Sequence, residues 1–424
     1  MTARAKVSTS LSRHLLAATV IIAVFAAHLT GGGYTRGDGA ALAAVISVLA
    51  AISVLSFRDS AVVLSSKLWL APAACIAVVI AVATYQVVTP GFDRELAFLA
   101  LLRLCAMPAS FLLGAVIGLN ERRLAAFRIW LCIGILIAAI LALIHFCLLQ
   151  SGVIPPVYFL DSERLYFPLL SPNSTALLCA IGLVMAGGIL MSEAGEARSG
   201  RPGLTPLGAL ALAATVVSFI DLGLTRSRSG ILMTAVAVLL GLLMFGFKNR
   251  RALLYRGLPI AAFAVVAMVV ASASRLGAAG DDLSFRLQIY QAHLSAALDR
   301  PLLGHGFGSF SNVNRRLTTA ENFPALFNIN ALHNVYLQWM EQAGWIATGA
   351  MAVCLGLVLW RVVREARRGR RASVYWLRSA VLVTVVALGQ GLLDFGFEHY
   401  SIATTLSLIL GASFGIAIRR EPTD

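Results

Sequence analysis

Long apolar runs separated by short polar connections recur along the whole chain. Each run is long enough for a helix that crosses a hydrocarbon core of about 30 Å, which takes roughly 20 residues. Barrel strands would alternate in polarity over about ten residues, and unpaired backbone groups are costly in lipid. The pattern therefore predicts an all-α polytopic membrane protein with about twelve transmembrane helices. The runs lie near residues 15–29, 41–57, 68–88, 96–119, 125–150, 175–191, 206–225, 230–247, 258–274, 333–360, 376–397 and 400–418.

Composition agrees with a membrane protein. Hydrophobic residues make up 59% of the 424-residue chain and charged residues only 13%, against about a quarter in soluble domains. The first run follows a basic head as in a signal peptide, but the many later spans favour an uncleaved first helix. All six cysteines lie inside apolar runs without a CxxC pair, so we expect packing residues and neither a disulfide nor a zinc framework.

The distribution of basic residues predicts the orientation. The formal net charge is +14, and most of the 34 Lys and Arg residues lie in the even-numbered connections and near the two termini. Cytoplasmic loops carry such an excess, so both termini are expected in the cytoplasm. The excess of positive charge is then explained by the orientation of the chain in the membrane and by attraction to membrane lipid. No nucleic-acid partner is expected.

Two arginines depart from this charge rule. The stretch "LTRSRSGIL" joins the seventh and eighth runs and places Arg226 and Arg228 on the outer face. The largest outer segment follows the ninth run, from about residue 275 to 332, and loops of this length usually carry function. Within it, apolar residues at spacings of three and four predict an amphipathic helix over 282–299, lying at the membrane surface, with Arg286 and His293 along one edge.

The end of the outer segment offers a candidate base. Gly304, Gly306 and Gly308 predict a flexible turn, since a phosphate-binding loop would continue into Lys-Ser or Lys-Thr. His333 is expected to open the tenth helix near the water boundary, and imidazole is the commonest general base. On a helix, Glu341 would return to the same face and orient it. The outer side shows no cluster of metal ligands, so the mechanism is expected to need no metal and no cofactor.

A membrane enzyme facing outward has no access to cytoplasmic nucleotides, so an activated substrate must arrive in the membrane. A polyprenyl-diphosphate glycan fits, because its diphosphate leaving group needs charge neutralisation more than a proton donor. Arginine forks bind phosphate oxygens bidentately and stay charged. A base then has to deprotonate an acceptor hydroxyl that attacks the anomeric carbon from the opposite face, with inversion.

The chain also resembles a known bacterial family, the O-antigen ligase and polymerase-like membrane proteins. The resemblance rests on "SRSG", then "RLQIYQAHLSAALDRPLLGHGFGSF", then "HNVYLQWMEQAGWIATG", in this order and spacing. It implies a GT-C-like glycosyltransferase that takes an undecaprenyl-diphosphate glycan at the periplasmic face and transfers it to lipid A-core or to a growing glycan. It divides the chain into three parts. Residues 1–174 hold N-terminal helices that match the family only in general character, residues 175–364 form a ligase-like core with the periplasmic loop, and residues 365–424 form two C-terminal helices.

Carried over by motif, the resemblance implies that Arg228 and Arg286 bind the donor diphosphate and that His333 is the catalytic base. Arg226 lies outside the strict motif as a possible helper, and Tyr290 stands where relatives often have tryptophan. Several polar residues near the outer ends of spans are further candidates whose roles stay open. We expect Asp221 to pair with Arg226 or Arg228, Glu341 to orient His333 and Arg103 to contact substrate or form an ion pair, while Asp394, Glu398 and His399 have no assigned role.

Ligation of O-antigen to lipid A-core is slightly preferred. The alternative within the family is a polymerase of O-antigen or exopolysaccharide repeats. A different class is a twelve-span transporter for an anion or a lipid-linked sugar, which would tend to show two repeated halves. Neither the sugar, the acceptor nor the oligomeric state follows from the sequence.

Overall fold

A computed structural model of the protein describes residues 3–156, 162–197, 204–245, 279–327, 329–368 and 372–420. Nine helices in these ranges are long and apolar enough to cross a membrane, and two shorter apolar helices cover 14–29 and 228–244. They correspond to eleven of the twelve predicted runs. The ninth run, 258–274, lies outside the described residues. The prediction of an all-α polytopic protein is confirmed for the described part of the chain.

The helices are numbered in chain order. They are α1 (Ala3–Leu29), α2 (Arg36–Ser56), α3 (Arg58–Ser65), α4 (Lys67–Val88), α5 (Arg94–Leu119), α6 (Glu121–Gln150), α7 (Pro172–Ala197), α8 (Pro206–Leu224), α9 (Arg228–Phe245), α10 (Ala279–Asp299), α11 (Phe310–Leu317), α12 (Phe323–Leu326), α13 (Val335–Arg367), α14 (Ala372–Gly391) and α15 (Tyr400–Arg419), with a 3-10 turn at Gly396–Glu398 before α15.

The last helix, α15, is buried along almost its whole length and packs against α5. Glycines allow the two backbones to touch. A Cβ atom at Gly118 of α5 would lie 2.0 Å from the carbonyl oxygen of Ala412, and one at Gly415 of α15 would lie 2.1 Å from that of Ala115. Small residues at helix contacts are the usual way in which membrane helices approach closely. Helices α1, α2, α4, α13 and α14 contact this pair, whereas α8 packs on α6 and α7, and α9 packs on α7 and α14.

Contacts group the connections at the two ends of the helices as the charge pattern predicts. At one end, Arg123 binds Asp59, and this contact joins the second and fourth connections. At the same end, Arg419 lies 3.2 Å from Glu121, and this contact joins the C-terminal end to the fourth connection. At the other end, the connections expected outside meet one another. The contacts there are Gly31 with His399, Asp93 with Asn312, Arg164 with Thr225 and Arg286 with Leu393. The side of the membrane that each end faces stays a prediction.

The predicted glycine turn lies directly against the helix that follows it. Gly304 has φ +67°, and Gly344, inside α13, has φ +70° and interrupts that helix. A Cβ atom on Gly344 would lie 2.3 Å from the carbonyl oxygen of Leu302. The turn therefore packs its backbone directly against the break in α13, and glycine is needed on both sides of that contact.

The predicted amphipathic helix is confirmed as α10, Ala279–Asp299. Its buried residues include Ile289, His293 and Ala296, whereas Leu287 and Leu294 are about half exposed. The leucine stripe thus points away from the protein. This arrangement is compatible with the predicted position at the membrane surface, which stays a prediction.

Candidate functional site

His333 lies just before α13 and has a left-handed backbone, with φ +55°. Asn334 is the cap of that helix, and its side chain accepts a hydrogen bond from the backbone N–H of Leu337. The carbonyl of His333 accepts a bond of 3.0 Å from the hydroxyl of Tyr290 on α10. The expectation that His333 is the first residue of the helix is therefore wrong, because the cap at Asn334 starts the helix at Val335 and leaves the histidine in a turn.

The partner of the His333 ring is Asp394. Nδ1 of His333 lies 3.2 Å from Oδ1 of Asp394, whose side chain is fully buried, while the His333 side chain is 30% exposed. The second carboxylate oxygen of Asp394 is buried and has no hydrogen-bond partner among the described residues. If Nδ1–H donates to Asp394, Nε2 carries the lone pair, as a base requires. The ring also lies edge-on to Phe395, with centroids 4.8 Å apart.

Asp394 reaches this position because α14 ends at Gly391, earlier than the apolar run that extends to about 397. Residues 392–399 then form an irregular segment that returns the chain to α15. The sequence singled out Asp394 as a polar group at membrane depth but gave it no role. Its partner is 61 residues away along the chain, so spacing carried no signal for the pair.

Glu341 does not orient His333, and that prediction is wrong. Its carboxylate binds Nδ1 of His293, and both side chains are fully buried. Nε2 of His293 lies 3.2 Å from Oδ1 of Asn314, and the ring stacks on Phe310 with centroids 5.0 Å apart. His333 and Glu341 do not share a helix face, because His333 lies outside the helix that carries Glu341. Glu341 instead joins α13 to α10 and α11.

Arg286 lies beside the His333–Asp394 pair. Its Nη1 donates a bond of 2.6 Å to the carbonyl of Leu393, the residue that precedes Asp394. Burial raises the pKa of the neighbouring Tyr290 phenol, although the Arg286 cation acts in the opposite direction. The phenol therefore keeps the proton that it donates to the carbonyl of His333. The predicted donor ligand and the predicted base are thus brought together, and Tyr290 links their two elements.

Arg226 has a different setting. It has φ +48°, its side chain is 37% exposed, and Nη1 lies 2.9 Å from Oε2 of Glu163. Asp221 pairs with neither Arg226 nor Arg228, contrary to the expectation, because both of its buried carboxylate oxygens lack a hydrogen-bond partner in the described ranges. It faces inward with Thr175 and Ser218, one turn before α8 ends.

Arg228 is the first residue of α9, in a turn that is tied to two other helices. The side chain of Asn173 accepts bonds from Ser227 (2.9 Å) and from Arg164 (3.2 Å). Its carbonyl accepts a bond of 2.7 Å from Gln390, near the end of α14. The turn therefore lies at the same end of the helices as Asp394, because Gln390 lies near the end of α14, shortly before Asp394 in the chain. Arg164 was not among the predicted site residues. The signal that could have found it is that it is an arginine on the outer face, which carries few basic residues.

A cavity of about 550 Å³ lies on the other side of the 392–399 segment. Arg103 of α5 lines it, with its guanidinium 5.0 Å from the ring centroid of Tyr400. Glu398 also lines it and accepts a bond of 2.7 Å from Gln338. Burial raises the pKa of Glu398 to about 7, against the opposing effect of the Arg103 cation. Arg103 thus lines a cavity at a place distinct from the turn between α8 and α9 that carries Arg226 and Arg228, here called the arginine turn.

His399 has a structural setting. Its Nδ1 lies 3.1 Å from the carbonyl oxygen of Gly31, and burial lowers its pKa to about 4, so the ring is neutral near pH 7. His305 likewise bonds the carbonyl of Ala296, at 2.8 Å. Among the residues that the structure describes, no three His, Cys, Asp or Glu side chains are grouped in a way that would hold a metal ion.

Comparison with known proteins bears on the central part of the chain. Residues 213–352 match the family model described as O-antigen ligase. A search of curated proteins finds no match. The matched segment contains the arginine turn, Arg286 and His333, whereas Arg103 and Asp394 lie outside it. The family implies a membrane enzyme of the ligase or polymerase type. The resemblance of this chain to the O-antigen ligase-like family is therefore confirmed over residues 213–352.

Proposed function

We propose that the protein transfers a glycan from an undecaprenyl-diphosphate carrier to an acceptor hydroxyl at the periplasmic face of the inner membrane, as an O-antigen ligase that uses lipid A-core. The observation that carries the proposal is the partly exposed His333 ring held by the buried Asp394, with Arg286 bound to the adjoining residue. A base and a phosphate-binding cation are the two groups that such a transfer needs.

His333 is the base in this reaction. The acceptor oxygen attacks the anomeric carbon and forms the new glycosidic bond while its proton passes to Nε2 of His333. The bond between the anomeric carbon and the diphosphate oxygen breaks, and the electron pair leaves with undecaprenyl diphosphate. Asp394 stabilises the imidazolium that results, as the aspartate of a catalytic triad does. Water then takes the proton and restores the neutral ring.

The arginines bind the leaving group. Arg286 lies next to the base, and Arg228 belongs to the turn that Ser227 ties to Asn173, which in turn binds Gln390 of α14. A diphosphate develops negative charge as its bond to the sugar breaks, and guanidinium groups stabilise that charge without a proton transfer. Arg226, which pairs with Glu163 at the surface, has a peripheral role. Attack from the face opposite the diphosphate in a single displacement inverts the anomeric configuration.

The test is a reconstituted reaction. Full-length protein in lipid nanodiscs is given an undecaprenyl-diphosphate glycan and lipid A-core, and the released undecaprenyl diphosphate and the glycosylated lipid A are measured. We expect both products in equal amounts, with none from His333→Ala. Elongation of the lipid-linked glycan without transfer to lipid A-core would identify a polymerase. Movement of the donor across the bilayer without bond cleavage would identify a transporter and overturn the proposal.

A further inference from the structure

Arg103 is a partly buried cation, and two of its three guanidinium nitrogens have no hydrogen-bond partner among the described residues. It lies nine residues into α5, about 14 Å along the helix axis from Arg94. Its Nε and Nη2 atoms are buried, and neither has a hydrogen-bond partner within the described ranges. Buried guanidinium groups in membrane proteins almost always pair with an anion or line a polar path. The absence of a partner for these two atoms points to a ligand.

The geometry of the two atoms specifies the ligand's head. Nε–H and one N–H of Nη2 lie on the same edge of the guanidinium plane, which is the edge that binds two oxygens of one carboxylate or phosphate group. Gly39 packs against Arg103, where a Cβ atom would lie 2.8 Å from Nε and 3.3 Å from Cδ. Glycine at this position leaves the space that the arginine fills.

The rest of the cavity specifies the ligand's tail. Apolar side chains from three membrane helices line it, among them Leu104, Met107, Leu355 and Leu410. Its volume of about 550 Å³ is within the range of about 300–1,000 Å³ found for ligand pockets. A polar end built around Arg103 and a long apolar end fit an amphiphile with an anionic head. Phosphate is the oxyanion that bilayer lipids commonly carry.

This cavity is separate from the arginine turn. Most of its walls come from α5, α13 and α15, and Leu388 of α14 and Phe307 and Phe310 of the outer segment also line it. No residue of the turn 225–229 is in this lining; that turn is tied to α7 and to Gln390 of α14. The segment 392–399 lies between them, with Asp394 facing His333 and Glu398 facing the cavity. Val335 and Tyr336, which follow directly after the turn of His333 and Asn334, also line the cavity. A lipid bound there would have its head close to the candidate base.

We propose that the cavity binds the phosphate group and the first part of the apolar chain of a substrate lipid, with the side edge of Arg103 on the phosphate oxygens. The proposal rests on the proposed function only for the identity of that lipid. In that reaction both substrates carry lipid phosphates, so an anion site is needed in addition to the one that holds the leaving diphosphate. The two sources are a polyprenyl phosphate and a phosphorylated glycolipid such as lipid A.

Binding can be measured apart from turnover in the His333→Ala background. Polyprenyl monophosphate and lipid A are each titrated into purified full-length protein in detergent, and each is compared with its dephosphorylated form. We expect one of the two phosphorylated probes to bind at least tenfold more tightly than its dephosphorylated form, and this probe identifies the source. Arg103→Gln should remove that preference, and Arg103→Lys should retain part of it. Arg94→Gln, at the exposed start of the same helix, is the matched control and should bind as the parent does.

A photoreactive version of the better probe tests the same site without relying on substitution at Arg103. The diazirine is placed in the apolar chain next to the phosphate, and labelled peptides are identified in the unsubstituted protein. Labels are expected on α5, α13 and α15, within the cavity lining. Labels confined to other helices, or equal binding of phosphorylated and dephosphorylated probes, would overturn the proposal. Phosphate-dependent binding without any glycan transfer in the reconstituted reaction would instead overturn the proposed function and leave the cavity assignment standing.

Discussion

Nδ1 of His333 lies 3.2 Å from Oδ1 of Asp394, which joins the turn before α13 to the segment after α14. The carboxylate is fully buried and the imidazole is partly exposed, so the pair presents one edge of the ring outward while the other edge is held. A carboxylate in this position fixes the tautomer of the ring and favours its protonated form after proton uptake. In the proposed reaction, Asp394 is therefore a positioning residue that acts through His333.

The first prediction concerns this pair. Asp394→Asn should lower kcat by about 10²- to 10⁴-fold, because the amide no longer fixes the base tautomer of His333, and should leave the KM for donor nearly unchanged. Steady-state release of undecaprenyl diphosphate measures both constants. Asp299→Asn, at the exposed end of α10, is the control and should retain full activity. Wild-type kcat in Asp394→Asn would remove the aspartate from the mechanism.

The second prediction concerns Arg286. Arg286→Lys keeps the charge but loses the planar fork and the contact with the carbonyl of Leu393. A charge-assisted hydrogen bond contributes roughly 1.5–3 kcal/mol, so kcat/KM for donor should fall about 10- to 100-fold. Arg315→Lys, on the exposed face of α11, provides the comparison. Equal donor use by Arg286→Lys and the parent protein would contradict a role in diphosphate binding.

The architecture was largely accessible from the sequence because hydropathy and the placement of Lys and Arg are averages over many residues. Eleven runs became helices, and the connections met at two ends as the charge pattern implied. Arg286 and His333 were proposed as site residues because each lies in a motif that is a local pattern of the sequence. These features need no knowledge of which helices pack together.

The pairings were not accessible, since each depends on a single residue whose conformation departs from the regular element. The cap at Asn334 put His333 in a turn, which removed Glu341 from its face, and the early end of α14 at Gly391 brought Asp394 in its place. Arg226, whose backbone is left-handed, binds Glu163 and not Asp221. A helical projection assumes continuous helices and therefore assigns the wrong partner at each of these positions.

The third prediction concerns the break in α13. Gly344→Ala places a Cβ atom at φ +70°, 2.3 Å from the carbonyl oxygen of Leu302, so it should lower the free energy of unfolding by about 1–3 kcal/mol or more. Thermal unfolding in detergent measures the loss. Gly349→Ala in the same helix is a matched control, since its Cβ atom would meet nothing within 4 Å. The hypothesis fails if both variants unfold at the same temperature.

The fourth prediction concerns the buried contact of His293 with Glu341, which joins the helix carrying Arg286 to the helix that follows His333. Replacing one member leaves the other buried without its partner, at a cost of about 3–5 kcal/mol. Glu341→Gln and His293→Asn should each lower the unfolding temperature, and the double variant should lose less than the sum of the two. Strict additivity in this double-mutant cycle would show that the two residues do not interact.

The last prediction concerns pH and the cavity. Burial raises the pKa of Glu398 to about 7, with Arg103 acting in the opposite direction, so the carboxyl changes from neutral to charged between about pH 6 and pH 8. The charged group that faces it is Arg103 of α5. Tyr34 and His399 are neutral in this range, because burial raises the pKa of the Tyr34 phenol and lowers the pKa of His399 to about 4. As pH rises, ionised Glu398 competes with a lipid phosphate for the Arg103 cation. As pH rises, the parent protein should therefore bind the phosphorylated probe more weakly than Glu398→Gln does. The ratio of their two dissociation constants should change by about tenfold between pH 6 and pH 8, since a full charge within a few ångströms shifts such equilibria by roughly 1.4 kcal/mol or more.

Comparison with Glu398→Gln at each pH cancels the titration of the probe itself. A ratio of dissociation constants that stays constant from pH 6 to pH 8 would show that Glu398 does not face the bound phosphate.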